Sequence, residues 1–494
     1  MRRFLKKHNE SKDSGRTMSA KPLLIQKPDF KGCRVTVLGL GRFGGGIAVV
    51  NYLARRGAHI TVIDAKTEET LSDSLRQIEQ YAEIRYELGS TLTELPEIDL
   101  LVANPAIPPA HPLLKSALEQ QIPVTSEIEL FWELNPGRVI GVTGSNGKST
   151  TTAMVHTIMQ ASGARCWLGG NIGVSLLPVV EQIQPEDWVI LELSSFQLEA
   201  LNRIQASPQI GVVSNFSPNH LDWHQTVEHY RRAKQTIFRW QSESDFAVIN
   251  ADDPDLQSWS IQGSVSRFGV TPRLKPDVLV DRASFVLREQ KQVLQPHLNV
   301  PGMHNRINAA AAIAACRCAG VDLTTIQKGL EAFQGLPHRL QFIGEFQHRR
   351  FYNDSLATTP ESAICALEAF DDSSLILLAG GSDKKVDLTE FASVLLDRTK
   401  ATALMGETGL VLSAILQKLK TDPTRHHLAV ISPPQHSFQE AFEWAFQQSD
   451  PGDVILLSPG CASYGWFTSF AERGERFTEQ FQRLSDGSDR SAQQ

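Results

Sequence analysis

Six cysteines in 494 residues, Cys33, Cys166, Cys316, Cys318, Cys365 and Cys461, are too few and too scattered to frame disulfides or a closed zinc site. Cys316 and Cys318 stand two apart in an alanine-rich apparent helix, so they face different ways. Thiols used this sparingly suit a reducing, cytoplasmic setting. No apolar run reaches the roughly 18 residues of a membrane span, so no insertion is expected. The basic opening Met1-Arg2-Arg3-Phe4-Leu5-Lys6-Lys7-His8 lacks the apolar stretch of a secretory signal and reads as a disordered tail. Positive charge is not in excess either. The formal net charge of -7 argues against a nucleic-acid partner. Internal repeats and low-complexity tracts are missing. With 41% hydrophobic and 21% charged residues, the chain reads as an ordinary globular protein, long enough for about three domains.

The strongest positive signal is Gly141-Val142-Thr143-Gly144-Ser145-Asn146-Gly147-Lys148-Ser149-Thr150. Arg138 to Val142 reads as a buried strand, and the residues from Lys148 onward read as a helix. A glycine-punctuated turn between them lets backbone N–H groups approach an anion, and the helix dipole favours negative charge there. Gly144, Asn146 and Gly147 would shape the turn. Lys148 would meet the β- and γ-phosphates of a nucleotide triphosphate, with the hydroxyl of Ser149 or Thr150 on Mg²⁺. The first glycine falls one residue early for the usual P-loop.

Before that loop, Arg34 to Leu38 reads as a strand entering Gly39-Leu40-Gly41-Arg42-Phe43-Gly44, and Ile60 to Asp64 reads as the next strand, ending in an acid. This is a Rossmann-type arrangement, in which NAD, FAD or a UDP-sugar could each fit. After the loop come the glycine-rich Gly169-Gly170-Asn171-Ile172-Gly173 and a strand carrying Glu192 near its carboxyl end, where a hard cation would find an oxygen. A lone glutamate in such a strand is as often a satisfied structural carboxylate. Asn219-His220-Leu221-Asp222-Trp223-His224 suggests Mg²⁺ or substrate contact rather than zinc, for want of thiolates. Lys234 sits on a basic amphipathic helix, where composition alone says a solvated lysine. The stretch 264–300 alternates apolar and polar residues as β-hairpins do. Asn305 and Asn308 then share one face of a helix.

From about Leu336 a third α/β unit begins, with strands at Arg350–Asp354, Leu375–Ala379, Ala403–Met405, Leu428–Ile431 and Asp453–Leu457. The expected division is a tail and lead-in over 1–30, a Rossmann-like domain over 31–136 and a parallel-sheet, P-loop ATPase-type domain over 137–335. A Rossmann-like α/β domain over 336–484 and a tail over 485–494 complete it.

Taken in order, Thr143-Gly-Ser-Asn-Gly-Lys-Ser-Thr150, Glu192-Leu-Ser-Ser-Phe-Gln-Leu-Glu199 and Asn219-His-Leu-Asp222 resemble the motifs of the Mur ligases. These are ATP-dependent amide ligases of peptidoglycan precursor synthesis. Pro337-His-Arg339, Asn353-Asp-Ser355, Gly380-Gly-Ser-Asp-Lys384 and Ser458-Pro-Gly-Cys-Ala-Ser463 carry the resemblance into the third domain. Ser126-Glu-Ile-Glu-Leu-Phe131 looks most like the glutamate-adding branch.

The resemblance implies that the first domain holds UDP, with Gly39, Gly41, Arg42, Phe43 and Gly44 near the pyrophosphate and Asp64 near the uridine. Gly144 to Thr150 would hold ATP, Glu192 and His220 would ligate two Mg²⁺ ions together with Ser149 or Thr150, and Lys234 would be the carbamylated lysine. Asn305 and Asn308 would serve the adenine, Arg339 and Asp354 the phosphates and ribose. Asn171 and Ser194 would contact the UDP-linked substrate, and Thr358, Lys384, Ser463 and Phe470 would receive glutamate. The implied enzyme is a cytoplasmic monomer. It joins D-glutamate to UDP-N-acetylmuramoyl-L-alanine through an acyl phosphate, with Lys148, Glu192, His220, Lys234 and Arg339 as its catalytic set. Glutamate-adding members commonly read Asn-Asp-Ser-Lys-Ala-Thr-Asn where this chain has Asn353-Asp-Ser-Leu-Ala-Thr-Thr359. Leu356 removes a cation there, which leaves L-glutamate as the alternative acceptor. A dehydrogenase would leave Lys148 unexplained, and a non-catalytic nucleotide-binding module would need a lost catalytic residue.

Overall fold

The computed structural model describes residues 30–491 apart from 42–43, 90–91, 93, 174, 282, 289–291, 371–373, 384–385 and 422–428. The expected basic tail, Arg42, Phe43 and Lys384 therefore lie outside the described residues. The chain forms two compact units. One runs to Lys148 and resumes over Ala164–Arg267; the other takes Ser149–Gly163 and everything from Phe268.

The first unit opens with strands β1 (Arg34–Leu38), β2 (His59–Asp64), β3 (Arg85–Leu88), β4 (Leu100–Ala103) and β5 (Val124–Thr125). They lie in the order β3-β2-β1-β4-β5, all parallel. That is the half-Rossmann order expected from the glycine turn and Asp64. The two-residue edge strand β5 gave no sequence signal, and neither did the opposite edge strand, β3. Three of its four residues are exposed, so nothing in its pattern marks a buried face.

In the same unit, β6 (Arg138–Thr143), β7 (Cys166–Gly170), β8 (Trp188–Glu192), β9 (Ile210–Val213) and β10 (Phe246–Asn250) run parallel in the order β10-β9-β6-β8-β7. Val139, Ile140 and Val142 of β6 are at most 2% exposed. Burying each contributes about 1.5–3 kcal/mol, which seats β6 firmly between its neighbours. Register then does the functional work: Val142 pairs with Glu192 on β8, and Thr143 with Val213 on β9. The glycine loop thus leaves the sheet between two other strand ends. One apolar core runs through both sheets, from Val35 and Val62 to Val189, Val213 and Ile249.

In the second unit, the helix that begins at Lys148 packs its later turns on the helices Met303–Cys318 and Leu323–Ala332. A side chain on Gly329 would meet Ile158 Cα at 2.6 Å, so glycine is what lets these helices touch. Ala309 to Ala315 are buried all round. The end of β11 (Ser264–Gly269) pairs with β12 (Val278–Val280), and β13 (Phe285–Leu287) and β14 (Gln292–Leu294) add the expected hairpins.

The last sheet holds β15 (Gln341–Phe346), β16 (Arg349–Asn353), β17 (Leu375–Gly380), β18 (Ala401–Met405), β19 (Val430–Ile431) and β20 (Val454–Leu457). Its order is β15-β16-β20-β17-β18-β19, with β15 alone antiparallel. The final helix runs from Phe470 to Ser491, so backbone helix continues through most of the stretch expected as a tail from residue 485. The fold class is α/β with parallel sheets, as the sequence indicated.

Candidate active site

The glycine loop is held in shape from the neighbouring strand. Gly144 has φ 152°, and a Cβ there would sit 1.9 Å from Ser214 Oγ. Gly147 is left-handed at φ 78°. Beyond β9, the Asn215 carbonyl accepts the Ser145 N–H at 3.0 Å, and Asn215 Oδ1 accepts the Asn146 N–H at 2.9 Å. Ser145 Oγ donates to the Ser217 carbonyl at 2.7 Å and accepts from the Ser217 N–H at 2.8 Å. A loop braced at this many points is preformed for an anion and loses little freedom on binding one.

Two lysines converge on it. Lys148 Nζ donates to the carbonyls of Gly144 at 3.1 Å and Ser145 at 3.0 Å. Lys234 Nζ donates to the same Gly144 carbonyl at 2.8 Å and to Thr143 Oγ1 at 3.2 Å, with the Tyr230 ring centroid 4.9 Å away. Lys234 is only 1% exposed. Burial, then the charge of Lys148, drives its ammonium well below the usual lysine range, against the pull of Glu192. The solvated lysine that composition suggested is therefore a buried amine held towards its neutral form.

Glu192 is 1% exposed at the end of β8. Its Oε1 accepts from Asn171 Nδ2 at 2.7 Å, while Oε2 has no hydrogen-bond partner among the described residues. A buried carboxylate oxygen left open is costly unless a cation or a donor completes it. A divalent cation fits this donor set. His220, exposed and left-handed at φ 53°, starts the short helix Leu221–His224 and lies 5.1 Å from the Phe196 ring. Ser194, which the resemblance placed at the UDP-linked substrate, caps the helix Ser195–Arg203: its hydroxyl accepts from Gln197 N, and Gln197 returns the bond in a capping box.

At the first glycine turn, Gly39, Gly41 and Gly44 all have positive φ, and Gly44 caps the helix Gly45–Ala54. Asp64 is not displayed toward solvent as expected of a ribose ligand. It is 7% exposed, and its carboxylate accepts the N–H groups of Gly41 at 3.1 Å and Lys66 at 2.9 Å. In this state the acid fastens the turn. The turn faces the Asn171 loop, since a Cβ on Gly44 would lie 3.6 Å from the Gly173 carbonyl.

In the second unit, Asn308 Nδ2 lies 3.4 Å from Asn305 Oδ1, and Asn305 Nδ2 donates to the Pro301 carbonyl at 2.7 Å. Arg339 is exposed on a loop where His338 and Leu340 both adopt positive φ. Asp354 is 5% exposed, accepting from Leu340 N at 3.0 Å and Ser458 Oγ at 2.7 Å. Burial raises its carboxyl to about 7, opposed by these donors and by Arg339 and Arg473. Thr358 is half-buried, and the exposed Phe470 ring meets His338 edge-on at 6.1 Å. Ser463 lines a cavity of about 170 Å³ with Gly381, Gly406, Trp466 and Arg473, at the carboxyl ends of β17 and β18. Open parallel sheets place ligands there.

Family comparisons agree with this architecture. Residues 33–126 match a Mur ligase MurD-like N-terminal domain, 142–316 a Mur ligase middle domain and 338–461 a Mur ligase glutamate ligase domain. The chain is 38% identical over 459 residues to a UDP-N-acetylmuramoylalanine–D-glutamate ligase of Geobacillus kaustophilus, covering 91% of this chain and 98% of that one. The chain belongs to the Mur ligase family. A ligase of the same name from Acetivibrio thermocellus is 36% identical over 460 residues, covering 92% and 97%. Among solved structures, the MurC ligase of Thermotoga maritima is similar with a TM-score of 0.57 at 20% identity, covering 92% of this chain and all of that one. The MurF ligase of Thermotoga maritima, solved with ADP, gives 0.52 at 17%, covering 94% and 98%. These two show the shared fold.

Sequence reasoning missed several parts of this Mur ligase site. Ser214 and Asn215, which brace the loop, stand in the polar stretch after β9 and differ in no way from ordinary loop residues. Arg473 is 1% exposed and ties Ser355 to the Cys461 carbonyl through bonds of 2.9–3.0 Å. Burial lowers its guanidinium to about 10. Its signal was available: Arg473 falls at i+3 from Phe470 and i−4 from Phe477, on the apolar stripe of the last helix.

Proposed function

We propose that this ATP-dependent amide-forming ligase joins D-glutamate to UDP-N-acetylmuramoyl-L-alanine in the cytoplasm. The observation that carries the chemistry is the meeting of Lys148 and Lys234 on the Gly144 carbonyl beside the open Oε2 of Glu192. The relatives' shared name supports the substrate pair.

A carboxylate resists attack by an amine, so the alanyl carboxylate first takes the γ-phosphoryl group of ATP. ADP leaves and an acyl phosphate remains. The glutamate amine then attacks the acyl carbon, phosphate departs, and an amide is formed. The protein's part is positioning and charge neutralisation. Lys148, with Gly144, Asn146 and Gly147, holds the phosphates. Asn305 and Asn308 serve the adenine and Arg339 the phosphates. Asp354 in this state is occupied by Leu340 and Ser458, so any ribose contact requires it to exchange those donors. Gly39, Gly41, Gly44 and Asn171 contact the UDP-linked substrate; Thr358, Ser463 and Phe470 contact glutamate.

Mg²⁺, when bound, neutralises charge on the transferring phosphoryl group. Glu192, His220 and the hydroxyls of Ser149 or Thr150 would hold it. Among the described residues no three His, Cys, Asp or Glu side chains gather into a ready metal cluster. Further oxygens would come from nucleotide phosphates and from Lys234 itself. A neutral amine adds CO₂ and loses one proton to become a carbamate, which replaces a repelled cation with an anion between Lys148 and Glu192. Burial holds Lys234 towards the neutral amine from which that addition proceeds.

The test is ADP release with D- and L-glutamate supplied separately at equal concentration with the UDP-linked acceptor. D-glutamate should support turnover. Turnover with L-glutamate alone would replace D by L, in keeping with Leu356, which is 39% exposed where the branch commonly carries lysine. Turnover with neither would overturn the acceptor assignment.

A further inference from the structure

We infer that His224 is a positioning residue that sets the separation of Glu192 and His220 through a hydrogen bond to Ser195. The inference rests on the proposed role of His220 as a cation ligand. The helix Leu221–His224 is a single turn bracketed by two non-glycine residues of positive φ, His220 at 53° and Gln225 at 63°. Such strain persists only where surrounding contacts over-determine the backbone. The His220 carbonyl accepts the N–H groups of Trp223 at 3.2 Å and His224 at 2.9 Å, so the turn closes directly on His220.

What holds the turn is the side chain at its end. His224 is fully buried, and its Nε2 lies 2.9 Å from Ser195 Oγ. Its ring stacks on Phe196 at 5.5 Å with an interplanar angle of 4°. The Phe196 ring also meets the His220 ring at 5.1 Å. Ser195 is three residues past Glu192, at the start of the helix leaving β8. One buried bond and one shared aromatic ring thus join the element carrying Glu192 to the turn carrying His220, though 28 positions of sequence separate these two. A cation held by both needs that separation fixed, and partners outside the ligand set commonly change metal affinity about 10- to 100-fold.

The experiment measures Mn²⁺ binding to the full chain with ADP present, by the loss of the free Mn²⁺ electron paramagnetic resonance signal, alongside thermal stability. His224→Ala, His224→Gln, Ser195→Ala, the double alanine variant and His220→Ala are compared. The expected result is Mn²⁺ affinity weakened about 10-fold or more in His224→Ala and Ser195→Ala. The double variant should be no weaker than either single, because both remove the same bond. His224→Gln, which can still reach Ser195, should recover part of the loss. Unchanged Mn²⁺ affinity in folded Ser195→Ala, with only the melting temperature lowered, overturns the inference and leaves His224 a core residue. Fully additive losses in the double variant also overturn it. If His224→Ala does not fold, Ser195→Ala decides. Native Mn²⁺ affinity in His220→Ala refutes the ligand role of His220 itself; weakened binding there with normal binding in the other variants sinks this inference alone.

Discussion

Replacing Lys234 by methionine should leave the protein folded and the enzyme inactive, and the structure gives the size of both effects. Two hydrogen bonds are lost, to Gly144 O and Thr143 Oγ1, each with a net value of about 0.5–1.5 kcal/mol. Neither partner is stranded. Gly144 O keeps its 3.1 Å bond from Lys148, and Thr143 Oγ1 still donates to the Leu193 carbonyl at 2.7 Å. Methionine refills similar volume, and the variant sheds both the burial of an amine and its repulsion by Lys148. Stability should therefore shift by only about 1 kcal/mol in either direction, a few degrees in melting temperature. Losing one preorganised charged group at a transferring phosphoryl group should cost about 10²- to 10³-fold in kcat, or about 3–4 kcal/mol. Thermal unfolding and acceptor-dependent ADP release, run on one preparation, separate the two. Lys234→Ala, which leaves a space at the loop, should recover part of its activity with added formate or acetate standing in for the proposed carbamate. A methionine variant that keeps near-normal turnover refutes the catalytic role. One that melts more than about 10 °C lower shows the lysine to be a structural anchor, since two replaceable hydrogen bonds are too little to account for such a drop.

Two further outcomes follow from buried carboxylates. Asp354, raised to about 7 against an ordinary 3.8, binds more protons folded than unfolded between those values, so its contribution to stability declines as pH rises through that window. Asp354→Asn, which stays neutral, should gain on the wild type between pH 5 and pH 8, by about 3 kcal/mol at most; parallel melting curves across that range would refute the assignment. Glu192→Gln keeps an acceptor for Asn171 but removes the anion beside the open position. It should fold normally and require far more Mg²⁺, about 10-fold or above, for half-maximal ADP release; an unchanged Mg²⁺ requirement would show the carboxylate to be structural.

Much of this protein is local in its sequence. The glycines at 144–147 and 39–44 announce strand–turn–helix units because few other residues take the required backbone angles, and the runs Arg34–Leu38 and Trp188–Glu192 announce buried parallel strands by their apolar content. The order of motifs identified the family. The first turn of the helix after β1 holds a glycine whose role was not visible: a Cβ on Gly46 would meet the Leu40 carbonyl at 2.3 Å, so close packing there depends on Gly46 rather than on Gly44 alone. A strand such as β3, exposed on most of its residues, carries no such local mark.

Tertiary structure decided the charges and the company each group keeps. Nothing in a basic helix says that Lys234 is desolvated, because desolvation is set by what β6 and the glycine loop place over it. Nothing around Asp64 says that its oxygens already hold Gly41 and Lys66, or around Arg473 that it lies under Ser355 and Cys461. The residue types of the site are thus legible one by one. Their protonation, spacing and readiness depend on strand register and burial, which arise between segments far apart in the chain.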